Sequence, residues 1–462
     1  MAGLKDFKKI VDTNLSKLDM SEESKDKLKK SVHIKRRKFF KPLSFVGIPT
    51  LAALVAFIVL VNGLTITDKI NPVLAKDLMG DIKAEEVVIT ELSEEFIQST
   101  ADFSVELFKN SYTKGKNSLF SPTSVYLALG MTANGAKGNT LKEFESLLGK
   151  KGLGINDLNN YYYSLSKNLT NVISGKVGIA NSIWYKDDDI ININKEFLQK
   201  NANYYKAAAY KVDFSSKETA TYINNWVKKH TGNLIDKIID KTDDNDIMHL
   251  INTVYFEDEW QVPYENGEID EGEFRLEDGT RKKVEFMTST ESYYIKDDKA
   301  EGFIKPYKNG KYSFLALLPN EEVSVDSYID SLSGERFIKL MENKSSEDVR
   351  VSLPKFKASY SKQLKDSLMQ MGLVECFDSN KADFSEMTRD TKLYVDYVFH
   401  KTFIRVDDLG TKAGAVSDVG FLDCAVEFPE HEIFLDRPFI YAIIDNETNL
   451  PLFIGTMMNP EN

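Results

Sequence analysis

The sequence predicts an α+β protein: one large domain over residues 93–462, preceded by a single membrane-spanning helix over 42–65. Three observations carry that expectation. Helical apolar spacing dominates residues 93–148, alternating β-branched runs dominate the chain beyond 148, and no Pro-, Gly- or Ser-rich linker or internal repeat divides 93–462. Ahead of that body stands a run of 22 residues without a charge.

The chain has 462 residues, of which 42% are hydrophobic and 11% aromatic, so it can build a large core and is not a disordered chain. Charge is unevenly placed. Residues 1–41 hold 13 Lys and Arg against 6 Asp and Glu, whereas 66–462 hold 46 against 65. An acidic main body argues against nucleic acid or another polyanion as principal partner. Two cysteines, Cys376 and Cys424, make no disulfide framework and no CxxC pair, although one bridge between them remains open. The five histidines fall into no metal-ligand spacing, so neither a metal nor a cofactor is expected.

The run 43-LSFVGIPTLAALVAFIVLVNGL-64 is about 33 Å long as a helix, which matches a bilayer core. Lys35, Arg36, Arg37, Lys38 and Lys41 precede it. The positive-inside bias therefore puts residues 1–41 in the cytoplasm and everything after about Thr65 outside, with the protein held in the cell membrane through 43–64. A cleaved signal peptide ending near Val73 or Ala75 is the competing reading. The run is longer than a signal core and its leader is about 40 residues, which favours an uncleaved anchor. Residues 66–92 read as a short acidic tether broken by Pro72 and Gly80.

In the main body, Phe96, Phe103, Leu107 and Phe108 share one helical face, and after Ser121-Pro122 the residues Val125, Leu127, Ala128 and Met131 repeat it. Strands are predicted over 178–186, 248–256, 313–319, 350–360, 392–406 and 438–458, the last a hairpin with a turn at Asn446-Glu447-Thr448. Further helical patterns cover 219–240, 325–343 and 361–374.

Residues 408–427, DLGTKAGAVSDVGFLDCAVE, are polar and loop-like yet patterned as a strand. Alternating from Gly410, the residues Thr411, Ala413, Ala415 and Ser417 point to one side and are all small. Lys412, Gly414, Val416 and Asp418 take the other side, which suits solvent. Two readings stand: an ordinary exposed loop before a terminal strand, or a strand held in reserve that can slide between two existing strands.

At this point the chain resembles the serpins. The segment 117-NSLFSPTSVYLALGMTANGAKGNTLKEF-144 is similar to the family's most characteristic helix, and NSIW, INNWV, NTVYFEDEW, PY, LP, LPKF, HK, PF and a closing GTMMNP come after it in order over nearly all of 93–462. The resemblance implies a large, mostly antiparallel central sheet with surrounding helices and an exposed reactive-centre loop. It also implies a covalent trap: a protease acylates itself on the loop, which then inserts as an extra strand and distorts the bound enzyme. Gly410 and Thr411 match the hinge, and Ala413, Ala415 and Ser417 the small inserting positions. The 14 residues from Gly410 to Cys424 span about 46 Å when extended, the length of a domain.

By the same resemblance Ser121, Ser124, Asn252 and His400 match a buried polar cluster that lets the central strands part. Lys355 and Asp408 match a cation and an acid at the top of the sheet, and Trp260 a tryptophan stacked there. Leu409, Gly414 and Val416 depart from the inhibitory pattern and keep a non-inhibitory, serpin-fold binding protein as the alternative. Counting from the hinge puts the reactive bond at Cys424-Ala425; counting back from Pro438 puts it near Glu427, and the hinge count is taken because insertion length is what the mechanism constrains. Cysteine before alanine suits an elastase-like or subtilisin-like serine protease, or a cysteine protease. An enzyme is not expected, since a loop cannot hold Cys424 and His431 as a fixed catalytic pair. A monomer outside the cell is expected, and a Lys-, Asn- and Ile-rich composition with scarce cysteine points to a Gram-positive bacterial source.

Overall fold

The computed structural model describes residues 75–170, 175–411 and 429–460. The basic leader, the membrane segment 42–65 with its apolar run 43–64, and residues 66–74 of the tether lie outside these, as do Ala413, Ala415, Ser417, Cys424 and Ala425. Among the described residues no helix is long and apolar enough to cross a membrane.

Within the stretch read as tether, β1 (Ala75–Asp77) already forms a strand. Ser93 then caps α1 (Glu94–Ser111), its hydroxyl accepting from the Phe96 N–H while Glu94 and Glu95 occupy the positive end of the helix. β2 (Ser118–Phe120) leads into α2 (Pro122–Ala133), which starts on proline, where a missing N–H costs nothing, and is buried along its whole length. Next come α3 (Gly138–Leu148) and α4 (Ile155–Thr170), then β3 (Lys176–Lys186), α5 (Lys195–Tyr205), β4 (Ala208–Val212) and α6 (Lys217–His230).

The long strand β5 (Met248–Glu259) precedes the ribbon β6 (Ile269–Arg275) and β7 (Arg281–Glu291). β8 (Tyr294–Lys296), β9 (Ala300–Pro306) and β10 (Tyr312–Pro319) come next, then the short helices α7 (Val325–Ser331) and α8 (Gly334–Glu342). β11 (Val349–Pro354), β12 (Phe356–Gln363), α9 (Lys365–Gln370), β13 (Tyr397–Val406) and β14 (Gly410–Thr411) lead to the closing β15 (His431–Phe434), β16 (Phe439–Asp445) and β17 (Pro451–Met457).

Three sheets result. The seven-stranded sheet runs β1-β4-β3-β5-β14-β13-β12, the six-stranded sheet β2-β17-β16-β10-β9-β8, and the four-stranded sheet β15-β11-β7-β6. The main core lies between the first two, with α2 packed on both β5 and β17. A smaller cluster of Trp184, Ile223, Trp226, Val227 and Ile251 seals α6 onto the opposite face of the seven-stranded sheet.

Several expected elements end differently. The helix predicted over 219–240 stops at His230, because Gly232 and Asn233 both take positive φ and turn the chain away. The strand predicted from 392 starts only at Tyr397: the Asp396 carboxylate accepts from the Ile247 and Met248 N–H groups and ties that stretch to the start of β5. The 350–360 strand breaks at Lys355 into two strands in different sheets, and the 325–343 helix breaks at Leu332-Ser333, where Ser333 caps α8. Of 361–374 only Lys365–Gln370 is α-helical.

Candidate functional site

The central sheet contains a seam that changes partner along its length. From His249↔Tyr397 to Tyr255↔Phe403, β5 and β13 pair directly and in parallel. Above that the two strands diverge, and β14 lies between them, antiparallel to both, with Thr411 opposite Asp258 on one side and Val406 on the other. Two residues of the expected hinge therefore already occupy the sheet.

Gly410 explains why the hinge can sit there. Its φ is +151°, and a Cβ at this position would stand 2.2 Å from the Asp258 carbonyl oxygen and 2.7 Å from the Glu259 Cα, so only glycine fits without displacing β5. Thr411 is fully buried and its hydroxyl is 2.6 Å from the Tyr307 hydroxyl. The Tyr307 ring stacks on Trp260, with centroids 4.6 Å apart and planes 13° from parallel. Trp260 in turn holds the backbone just before the hinge: its indole N–H donates to the Asp407 carbonyl at 2.8 Å and its main-chain N–H to the Leu409 carbonyl at 2.9 Å. Beside them Lys355 Nζ lies 2.9 Å from Asp408 Oδ1.

Where the strands pair directly, the seam is crossed by side chains. Asn252 and His400 are cross-strand partners, and His400 Nδ1 is 2.7 Å from Asn252 Oδ1. Because His400 Nε2 accepts from the Ser121 N–H at 3.1 Å, the ring proton sits on Nδ1 and is donated to Asn252. The Asn252 amide then donates to the Ser124 carbonyl and hydroxyl and to Asn181 Oδ1. Burial pushes the His400 imidazole down to about 3, so the ring is neutral and can accept and donate in this way.

These positions bring together Ser121, Ser124, Asn252 and His400 at one level of the seam, and Trp260, Lys355, Asp408, Gly410 and Thr411 at its top. Ser121 contributes its main-chain N–H and not its hydroxyl, which is buried without a partner among the described residues. Asn181 and Tyr307 belong to the site and were not singled out from the sequence, although both fall in short motifs, NSIW and PY, that it displays. Cys376 is buried in the core with its thiol pushed well up by burial, and is no nucleophile. Among the described residues no group of three or more His, Cys, Asp or Glu side chains is placed to hold a metal ion.

The family model described as Serpin (serine protease inhibitor) matches residues 98–460. The chain belongs to the serpin family. Among solved structures, the thermophilic serpin tengpin in its native state is 48% identical, with a TM-score of 0.79 over 84% of this chain and all of that one. Neuroserpin of Gallus gallus is 29% identical over 380 residues, 79% of this chain and 92% of its own. Thyroxine-binding globulin in complex with thyroxine is 26% identical with a TM-score of 0.71, covering 79% of this chain and 99% of that one. Other serpins and a protein solved in complex with thyroxine thus share this fold.

Proposed function

We propose that this serpin is an irreversible, suicide-substrate inhibitor of an extracellular protease, trapping its target by inserting residues 410–423 into the central sheet. The observation that carries the reading is the register of β14, which sets Gly410 and Thr411 antiparallel between β5 and β13. Carried on in that register, Ala413 falls opposite Phe256, Ala415 opposite Val254, and Ser417 between Asn252 and His400. Small side chains would then meet the packed face, and the one hydroxyl would arrive at the polar cluster, where it can replace the bond that insertion breaks. One parallel ladder would give way to two antiparallel ones.

The reactive bond is assigned to Cys424-Ala425 and the target to an elastase-like or subtilisin-like serine protease, with a cysteine protease as the variant reading. The protein acts as a covalent partner of that protease and not as an enzyme, from a bacterial cell surface to which residues 43–64 anchor it. The likeness to thyroxine-binding globulin supports the alternative of a non-inhibitory binding protein. Incubation with a panel of proteases separates the two: SDS-resistant complexes releasing a fragment that begins at Ala425 are expected, and cleavage without complex formation by every protease would overturn the inhibitory reading. Cells treated with external protease should lose the loop and keep residues 1–41, whereas a soluble chain starting near Lys76 in untreated culture would remove the anchor.

A further inference from the structure

Beneath the hinge lies a charged pair that neither the cluster nor the loop accounts for. Lys305 on β9 is 2% exposed and Glu291 at the end of β7 is 7% exposed, with Nζ and Oε1 2.6 Å apart. The pair joins the six-stranded sheet to the four-stranded one. Ser289 Oγ donates to the same Glu291 oxygen at 2.6 Å and lies 3.4 Å from the Tyr264 hydroxyl, which closes a small buried network. A buried ion pair of this kind is no general source of stability, since two apolar residues of similar volume often serve as well. Something besides cohesion is needed to account for it.

The contacts of the ammonium supply the account. Lys305 Nζ stands 4.3 Å from the Tyr264 ring centroid and 5.5 Å from that of Trp260, within reach of both π faces. These two residues donate to three consecutive stations of the approaching chain: the Trp260 indole to Asp407 O, the Tyr264 N–H to Asp408 O, and the Trp260 N–H to Leu409 O. Trp260 also backs the Tyr307 ring whose hydroxyl meets Thr411. A single cation therefore fixes both rings of the platform that receives residues 407–411, and Glu291 fixes the cation.

We propose that Lys305, held by Glu291, is a positioning residue for the hinge: it sets Trp260 and Tyr264 so that Asp407–Thr411 dock as the first step of strand insertion. The proposal rests on the insertion reading above. It predicts that the pair matters more to hinge docking than to overall stability. The double variant Lys305→Met/Glu291→Leu removes both charges, leaves no charge unpaired, keeps the Tyr264 hydroxyl as an acceptor for Ser289, and is expected to melt within a few degrees of the parent. Its amides over 258–265, read by hydrogen exchange in the full chain, are expected to exchange about tenfold faster. After the loop is nicked with subtilisin, its gain in thermal stability should develop severalfold more slowly. Parent-like exchange and parent-like kinetics in this variant would overturn the proposal. Should the double variant not fold, Glu291→Gln retains the shape and an acceptor and decides the matter, with a two- to threefold acceleration of exchange expected from the weakened hold on Lys305; unchanged exchange overturns it. If the nicked parent itself gains no stability, the insertion reading fails, while the exchange measurement still tests the platform.

Discussion

The two halves of the β5–β13 seam are held by opposite kinds of chemistry. At the top, stacked aromatic rings and a buried ion pair hold a piece of inserted backbone, and the strands are already apart. Below, neutral amides, an imidazole and serine groups bridge strands that still pair directly. Rings and fixed charges suit a seat that must keep one geometry. Exchangeable neutral hydrogen bonds suit a join that must part without leaving a buried polar group alone. On the proposed insertion mechanism, insertion would begin at the top and be resisted in the middle.

The largest break in this comparison is expected from Thr411→Arg. The side chain is fully buried against Tyr307, so a guanidinium there would be an unpaired buried charge and would hold the hinge out of the sheet. Trapping of the target should be lost while cleavage continues; a variant that still forms complexes at the parent stoichiometry would show that the hinge register is wrong.

A pH titration of the parent against His400→Gln tests the middle. His400 is near 3 in the folded protein and near its ordinary value of 6.5 when unfolded, so the unfolded chain takes up a proton first as pH falls. Its contribution to stability is complete above about pH 6.5 and is lost progressively toward pH 3, at no more than about 1.4 kcal/mol per pH unit. Asp407 and Asp445, raised by burial, act in the opposite sense. Urea melts of the parent and of His400→Gln over pH 4–7 should differ in slope by up to that amount. Equal slopes would show that the imidazole is not held neutral by burial.

Asn252→Ala is expected to cost about 1–3 kcal/mol, because His400, Ser124 and Asn181 all lose a buried partner. Spontaneous seam opening on mild heating should accelerate with it, as tracked by uptake of a synthetic peptide carrying the sequence of residues 411–422. Lys355→Met, by contrast, removes a partly exposed pair and should change the melting free energy by less than about 1 kcal/mol. A larger loss would move Lys355 from the rim of the site into its machinery.

The legible part of this molecule was whatever stays local along the chain. Strand β10 is a continuous apolar run and α1 a clean helical stripe, and both lie where the residues place them. The polar cluster was legible only through short motifs, since nothing in the spacing of Ser121, Asn252 and His400 says that they meet. β6 reads IDEGEFR and was missed because its outward charges, Glu271 and Glu273, pair with Lys283 and Arg281 across the ribbon, a contact invisible before the hairpin is known. α4 was missed because its stripe is interrupted by asparagine and tyrosine, although Leu158, Tyr162, Leu165 and Leu169 are buried. Lys305 and Glu291 lie 14 residues apart on strands of different sheets, and their pairing is a product of tertiary structure alone.

The edge strand β1 gives the fold a direction of haul. Ala75 pairs with Val212 at the end of β4, beside the end of β3 where Lys186 meets Ile247, whereas Gly410 stands at the far end of β5 opposite Glu259. The described chain thus enters at the foot of the sheet and reaches the hinge at its head; with the anchor proposed at 43–64, the foot would be the moored end. A loop drawn down the seam would reel its catch toward the mooring.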